Sequence, residues 1–168
     1  MSAYQFAQPD FGKQIDEILV ETQLDPQCLK LEITETVIIQ NFTSAADAIC
    51  SLHERSIQFS IDDFGTGYSS LRRLTDFPID ILKIDRSFIN NEEWIIVKAI
   101  GTLAFTLGKK IVVEGIETTR QLATLKTLFS SSLDGCYGQG YLFAKPLDAE
   151  SAAEFLTNVR IHIPLVVG

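Results

Sequence analysis

The sequence predicts an α/β fold with a parallel sheet. Five short, apolar, β-leaning segments recur, each followed by an amphipathic helical stretch, and this alternation is the mark of parallel βα units. Polar residues stand near the ends of those strands at Glu32, Asp62, Asp85, Glu114 and Gln139, separated by 30, 23, 29 and 25 residues, close to one βα unit each. The 168 residues, 46% hydrophobic and 21% charged, suit one globular domain over 1–168 with a sizeable core, and no low-complexity linker divides them.

Taken in order, a helix is expected over Phe11–Gln23 and a first strand over Leu29–Thr34, in which Glu32 and Thr34 share a side. A helix over Ala45–Arg55 leads to a strand over Gln58–Asp62. That apolar run delivers two adjacent carboxylates, Asp62 and Asp63, before breaking into the glycine-hinged segment Phe64-Gly65-Thr66-Gly67-Tyr68-Ser69-Ser70. A short helix over Ser70–Thr75 precedes the strand Ile81–Asp85, where Lys83 and Asp85 point the same way. Helices over Glu93–Leu107, Thr119–Phe129 and Asp148–Asn158 alternate with strands over Lys110–Glu114 and Gln139–Phe143. In a closed parallel barrel all strand C-termini ring one face, whereas an open sheet spreads them along an edge. Six acidic or amide positions from five strands, Asp63 included, favour the barrel.

Composition excludes several function classes. A net charge of -8 argues against a DNA, RNA or anionic-membrane surface, since both partners require basic patches. Cys28, Cys50 and Cys136 are odd in number and lack Cys-x-x-Cys spacing, which disfavours a disulfide framework or thiolate zinc site and points to a reducing cytosol. The two histidines, His53 and His162, are far apart and read as surface residues, against a Ser-His-Asp triad. No apolar run approaches the ~18 residues that span a bilayer, and the start lacks the parts of a signal peptide. Asp63-Phe64-Gly65 also occurs in kinases, but the glycine-rich nucleotide loop and His-Arg-Asp loop are missing.

The acids carry the chemistry. Paired carboxylates at a strand end suit a divalent cation, because hard metals take several oxygen ligands and offset carboxylate repulsion; the plainer alternative is an acidic turn. Lys83 falls among these acids. It serves either to neutralise them or to orient metal-bound water and counter developing phosphate charge.

Read in order, Leu31-Glu32-Ile33-Thr34-Glu35, Ile61-Asp62-Asp63-Phe64-Gly65-Thr66-Gly67-Tyr68-Ser69-Ser70-Leu71, Leu82-Lys83-Ile84-Asp85-Arg86-Ser87-Phe88, Val112-Val113-Glu114-Gly115-Ile116-Glu117-Thr118 and Gln139-Gly140-Tyr141-Leu142-Phe143-Ala144-Lys145-Pro146-Leu147 closely resemble the EAL family of cyclic di-GMP phosphodiesterases. The resemblance implies a cytoplasmic bacterial signalling domain. It would use Mg2+ or Mn2+, two ions in the complete domain, to open one phosphodiester of cyclic di-GMP to the linear dinucleotide. The implied fold is a modified TIM (β/α)8-type barrel with one antiparallel strand. Glu32, Asp62, Asp63 and Asp85 resemble the metal ligands, with Asp62 shared between ions. Lys83, Glu114 and Gln139 resemble the catalytic set. Glu35, with Gly65 and Gly67, resembles support for a movable loop; Glu117 resembles a residue supporting the site or reads as an acid at the start of the next helix; and Asp63, Phe64, Gly65 and Pro146 resemble substrate contacts.

Departures from the family pattern set further expectations. The Glu-Ala-Leu motif is absent, and Met1–Phe6 resembles the segment after the family's strand-borne asparagine. The barrel is therefore expected to be N-terminally truncated or incomplete, with about five and a half of eight βα units and two ligands of the first metal missing. The connection from Phe88 to Val97 is short, and Leu133–Gly138 orders its residues differently from the usual pattern. Competing readings are a non-catalytic cyclic di-GMP receptor and a protein-interaction module. Open strand edges near Met1–Phe6 or Gln139–Phe143 suggest a homodimer or other self-association. Sensory or GGDEF domains are possible companions in the parent protein.

Overall fold

The structure, a computed structural model, describes residues 8, 10–35, 42–67, 71–130 and 134–158. The edge expected near Met1–Phe6 and the loop positions Tyr68–Ser70 lie outside the described residues. The chain forms two compact units, Met1–Lys83 and Ile84–Gly168. No helix among the described residues is long and apolar enough to cross a membrane.

The first unit contains α1 (Phe11–Thr22), a single 3-10 turn (Pro26–Cys28), β1 (Lys30–Thr34), α2 (Phe42–His53), β2 (Gln58–Phe64), α3 (Leu71–Asp76) and most of β3 (Ile81–Ile84). α1 ends where Gln23 turns left-handed at φ 57, and Asp25 starts the 3-10 turn by accepting the Gln27 N–H at 2.9 Å. β1 and β2 are parallel, with Glu32 opposite Ser60 and Thr34 opposite Asp62. Alternation in β1 sends Leu31 and Ile33 inward and leaves Lys30 and Glu32 on the other face. Leu31 and Ile33 join Phe59 and Ile61 of β2 and Ile49 and Leu52 of α2 among the buried residues. Each such side chain contributes about 1.5–3 kcal/mol by leaving water.

Asp80 fixes the entry to β3. Its N–H donates to Phe59 O at 2.9 Å, its carboxylate accepts the Phe59 N–H at 2.8 Å, and His53 Nε2 lies 3.4 Å from the other carboxylate oxygen. His53 is thus half-exposed, as its sequence context suggests, but tied down. Arg55 ties α2 to α1 through an ion pair with Asp16.

The second unit contains α4 (Arg86–Asn90), α5 (Trp94–Thr106), β4 (Lys110–Val113), α6 (Thr119–Leu128), β5 (Cys136–Gly138) and α7 (Ala149–Asn158). The Glu114 N–H donates to Ile84 O at 3.0 Å, and β4 pairs parallel with β5, Ile111 opposite Cys136. α5 carries Gly101 where it meets Phe129: a Cβ there would sit 2.4 Å from the ring, which stands edge-on to Phe105 with centroids 5.7 Å apart. α6 opens with a capping box, the Thr118 hydroxyl accepting from the Gln121 N–H and the Gln121 side chain accepting from the Thr118 N–H.

Two sequence expectations need correction. The last strand lies at Cys136–Gly138, and Tyr141–Phe143 form a turn. β-propensity lost there to a backbone contact: Gly140 passes so close to Ile116 that a Cβ would stand 2.1 Å from its carbonyl oxygen, while Leu142 donates to that oxygen and Phe143 folds back onto Gly140 O. The second is α4, a helix the sequence pattern did not suggest. Asp85 caps it by accepting the Ser87 N–H at 2.9 Å, so the strand expected to reach Asp85 stops at Ile84.

Two measurements check this packing. Burial pushes the Cys136 thiol up to about 11, whereas Cys28 and Cys50 are exposed. In the native protein at pH 8, Ellman's reagent is expected to react with two thiols quickly and with Cys136 only on unfolding. Because the folded value is raised, the related stability is full below the unfolded thiol's value of 9.0 and falls as pH rises toward about 11. Gly140→Ala is expected to cost about 3 kcal/mol, the upper end for overpacking, read by denaturant unfolding.

Candidate functional site

In the first unit, β1, β2 and β3 bring three charged side chains together. Register places Glu32 opposite Ser60, and alternation puts Asp62 on the same face two residues on. Lys83 joins them. Its Nζ lies 3.0 Å from each Glu32 carboxylate oxygen and 2.8 Å from Asp62 Oδ1. The Lys83 side chain is 8% exposed, against 48% for Glu32 and 29% for Asp62, so the ammonium is the buried member of a cluster open on its acidic side. Taking an ammonium out of water costs several kcal/mol. Two carboxylates at about 3 Å offset that cost, each attracting it by about 5 kcal/mol at an effective dielectric near 20.

Asp63 follows in an unusual conformation, φ 54, the left-handed region that a non-glycine residue adopts at a cost. The turn holds it there: Asp63 O accepts from the Thr66 hydroxyl at 2.8 Å and from the Thr66 N–H at 3.3 Å, and Gly65 continues at φ 94. The twist exposes the Asp63 side chain while its neighbour Phe64 is buried, 3% exposed, leaving the Phe64 backbone for any ligand contact. Glu35 is buried at 8% exposure, and both of its carboxylate oxygens lack a hydrogen-bond partner among the described residues. It stands against Gly67, where a Cβ would come within 3.4 Å of Oε2. The structure thus brings Glu35 against Gly67 of the glycine loop.

The donor set fits a divalent cation. Asp62 and Asp63 each offer a carboxylate oxygen within 4.8 Å of the other, Glu32 adds a further half-exposed carboxylate, and all are hard oxygen donors. Lys83 engages Asp62 through Oδ1 and leaves Oδ2 for other partners.

In the second unit, the expected residues occupy separate backbone positions. Glu114 follows β4 directly, and Gly115 at φ 74 packs so closely on Arg86 that a Cβ would fall 2.4 Å from the Arg86 Cβ. Gln139 follows β5 and is exposed; its N–H donates to Val113 O at 2.9 Å and its carbonyl accepts from Ile116 at 3.1 Å. Burial raises the Asp85 carboxyl, but hydrogen bonds from the Ser87 side chain and backbone, a further one from the Arg86 backbone, and the Arg86 charge outweigh it and hold it below the ordinary value. Glu117 is exposed just before α6, and its N–H donates to Gln121 at 2.9 Å, which is the place of an acid at a helix start. Pro146 is exposed ahead of α7.

Sequence reasoning missed Ser60. Its hydroxyl is 2% exposed and has no hydrogen-bond partner among the described residues, on the face that carries Glu32 and Asp62. The signal available was its position two residues before Asp62. A polar side chain there falls on the acidic face.

Replacing Lys83 with Met is expected to remove the ammonium that joins Glu32 and Asp62. The loss expected is about 1–3 kcal/mol, below the range for fully buried pairs because both acids reach solvent, and urea unfolding at pH 7 measures it.

The EAL domain family model matches residues 1–146. The cyclic di-GMP phosphodiesterase NbdA of Pseudomonas aeruginosa is 39% identical over 154 residues, covering 87% of this chain and 19% of NbdA. Among solved structures, a PaMucR phosphodiesterase in complex with c-di-GMP is 39% identical with a TM-score of 0.82, covering 90% of this chain and 62% of that one. BlrP1 of Klebsiella pneumoniae, solved as a manganese and cy-diGMP complex, is 29% identical with a TM-score of 0.74 over 84% of this chain and 36% of its own. The chain spans about a fifth of the length of NbdA. With parallel strands, helices between them and the family's motifs in order, the fold is α/β and corresponds to part of a TIM-barrel domain, and the chain belongs to the EAL domain family.

Proposed function

We propose that this chain is part of a metal-dependent phosphodiesterase that opens cyclic di-GMP to the linear dinucleotide in the bacterial cytoplasm. The observation that carries this reading is the Lys83–Glu32–Asp62 cluster, with Asp63 turned outward beside it. Glu32, Asp62, Asp63 and Asp85 would hold Mg2+ or Mn2+, as two ions in the complete domain. When bound, such ions supply a water acidic enough to attack at neutral pH and charge that stabilises the phosphate oxygens.

The chain's own residues then have distinct tasks. Lys83, fixed by two carboxylates, presents its ammonium toward the attacking water and the phosphate. Glu114 and Gln139 belong to the catalytic set by resemblance. Water adds to phosphorus as one P–O ester bond breaks, and the departing sugar oxygen takes the water's proton. The backbone at Asp63, Phe64 and Gly65, and the ring of Pro146, are the proposed contacts for the nucleotide. Glu35 would hold the glycine loop, and Glu117 has a supporting role by resemblance.

A second reading draws on one feature. Lys83 already neutralises two of the acids, so the cluster is held without a cation, as a receptor that binds cyclic di-GMP without turning it over would require. Incubating the purified chain with cyclic di-GMP and Mg2+ or Mn2+, followed by nucleotide chromatography, separates the two. Linear product lost on chelation supports the enzyme; binding that survives chelation with no product supports the receptor. In an active form Asp62→Asn is expected to lower turnover at least 100-fold, and Glu117→Gln less than 10-fold.

A further inference from the structure

Buried hydroxyls without a partner are uncommon, because leaving one unsatisfied costs about 1–3 kcal/mol. Ser60 is such a group: it is 2% exposed, in the middle of β2, opposite Glu32 and two residues before Asp62 on the same face. A strand interior offers its side chain no local backbone acceptor, since both backbone directions are committed to the ladder. Among the polar groups on its face are the Glu32 and Asp62 carboxylates, joined by the Lys83 ammonium.

We infer that Ser60 is a positioning residue, anchoring one ordered water beneath the Glu32 and Asp62 carboxylates and through it fixing their orientation toward a divalent cation. The inference rests on the metal-dependent reading above. A buried water is stable where two to four polar groups converge, and the Ser60 hydroxyl with the Glu32 and Asp62 carboxylates supplies that number. Carboxylates that ligate metals are in turn held by hydrogen bonds, and removing such an outer partner typically weakens metal binding by 10–100-fold.

The test is titration of Mn2+ alone, by calorimetry, into the wild-type chain and into Ser60→Ala and Ser60→Cys, with thermal unfolding of each in the absence of metal. The expected result is Mn2+ binding about 10-fold weaker in Ser60→Ala, intermediate in Ser60→Cys, with a metal-free melting temperature that is unchanged or higher. A hydroxyl with a purely structural role would lower the melting temperature and leave the Mn2+ affinity alone, and that result overturns the inference. Equal Mn2+ affinity in all three proteins overturns it while leaving the metal-dependent reading intact. Failure of the wild-type chain to bind Mn2+ overturns both.

Discussion

The ion triad at Lys83 is the constraint on which the first unit depends. Three strands contribute one charge each, and the ammonium, the most deeply buried of the three, is met by two carboxylates within about 3 Å. This fixes more than charge. Glu32 and Asp62 can both reach Lys83 only if β1 and β2 keep their register, since a slip of one residue would turn every side chain of a strand to the opposite face. The apolar pattern demands the same register, with Leu31, Ile33, Phe59 and Ile61 all facing the buried side. Core and polar cluster therefore specify one alignment by independent means.

A different economy governs the backbone around the chemistry-bearing residues. Gly140 is admitted against the Ile116 carbonyl, Gly115 against Arg86, and Gly101 against the Phe129 ring, each where a Cβ would meet atoms closer than contact allows. Capping side chains do the remaining work at the turns. Asp85 takes the start of α4, and Thr118 with Gln121 takes the start of α6.

The sequence made the periodic parts legible. Strands β1 to β4 and the longer helices fall within a few residues of their expected bounds, because apolar alternation and amphipathic spacing report burial directly. The Lys83 cluster was readable for the same reason, as two strand periods that place acids and a lysine on one side. What escaped was set by contacts distant in sequence. Tyr141, Leu142 and Phe143 favour strands locally but turn because Ile116 occupies the space beside Gly140, and Asp85 reads as the end of a strand until its carboxylate is seen capping the next helix. Ser60 carried no motif of its own; its place two residues before Asp62 gave its face, and only the register sets it opposite Glu32.

Asp63 has a backbone conformation that narrows its chemical alternatives. At φ 54 a β-branched or bulky side chain meets its own carbonyl, while glycine fits freely and aspartate and asparagine at less cost than other residues. The position thus holds two kinds of information at once, a carboxylate and a handedness, and they are separable. A lineage that abandons the carboxylate can keep the turn through asparagine or glycine and retain a correctly shaped loop, so a related sequence with asparagine at this position would have lost the negative charge while its architecture stayed whole. A valine or isoleucine there would mark a chain in which the loop itself had been rebuilt.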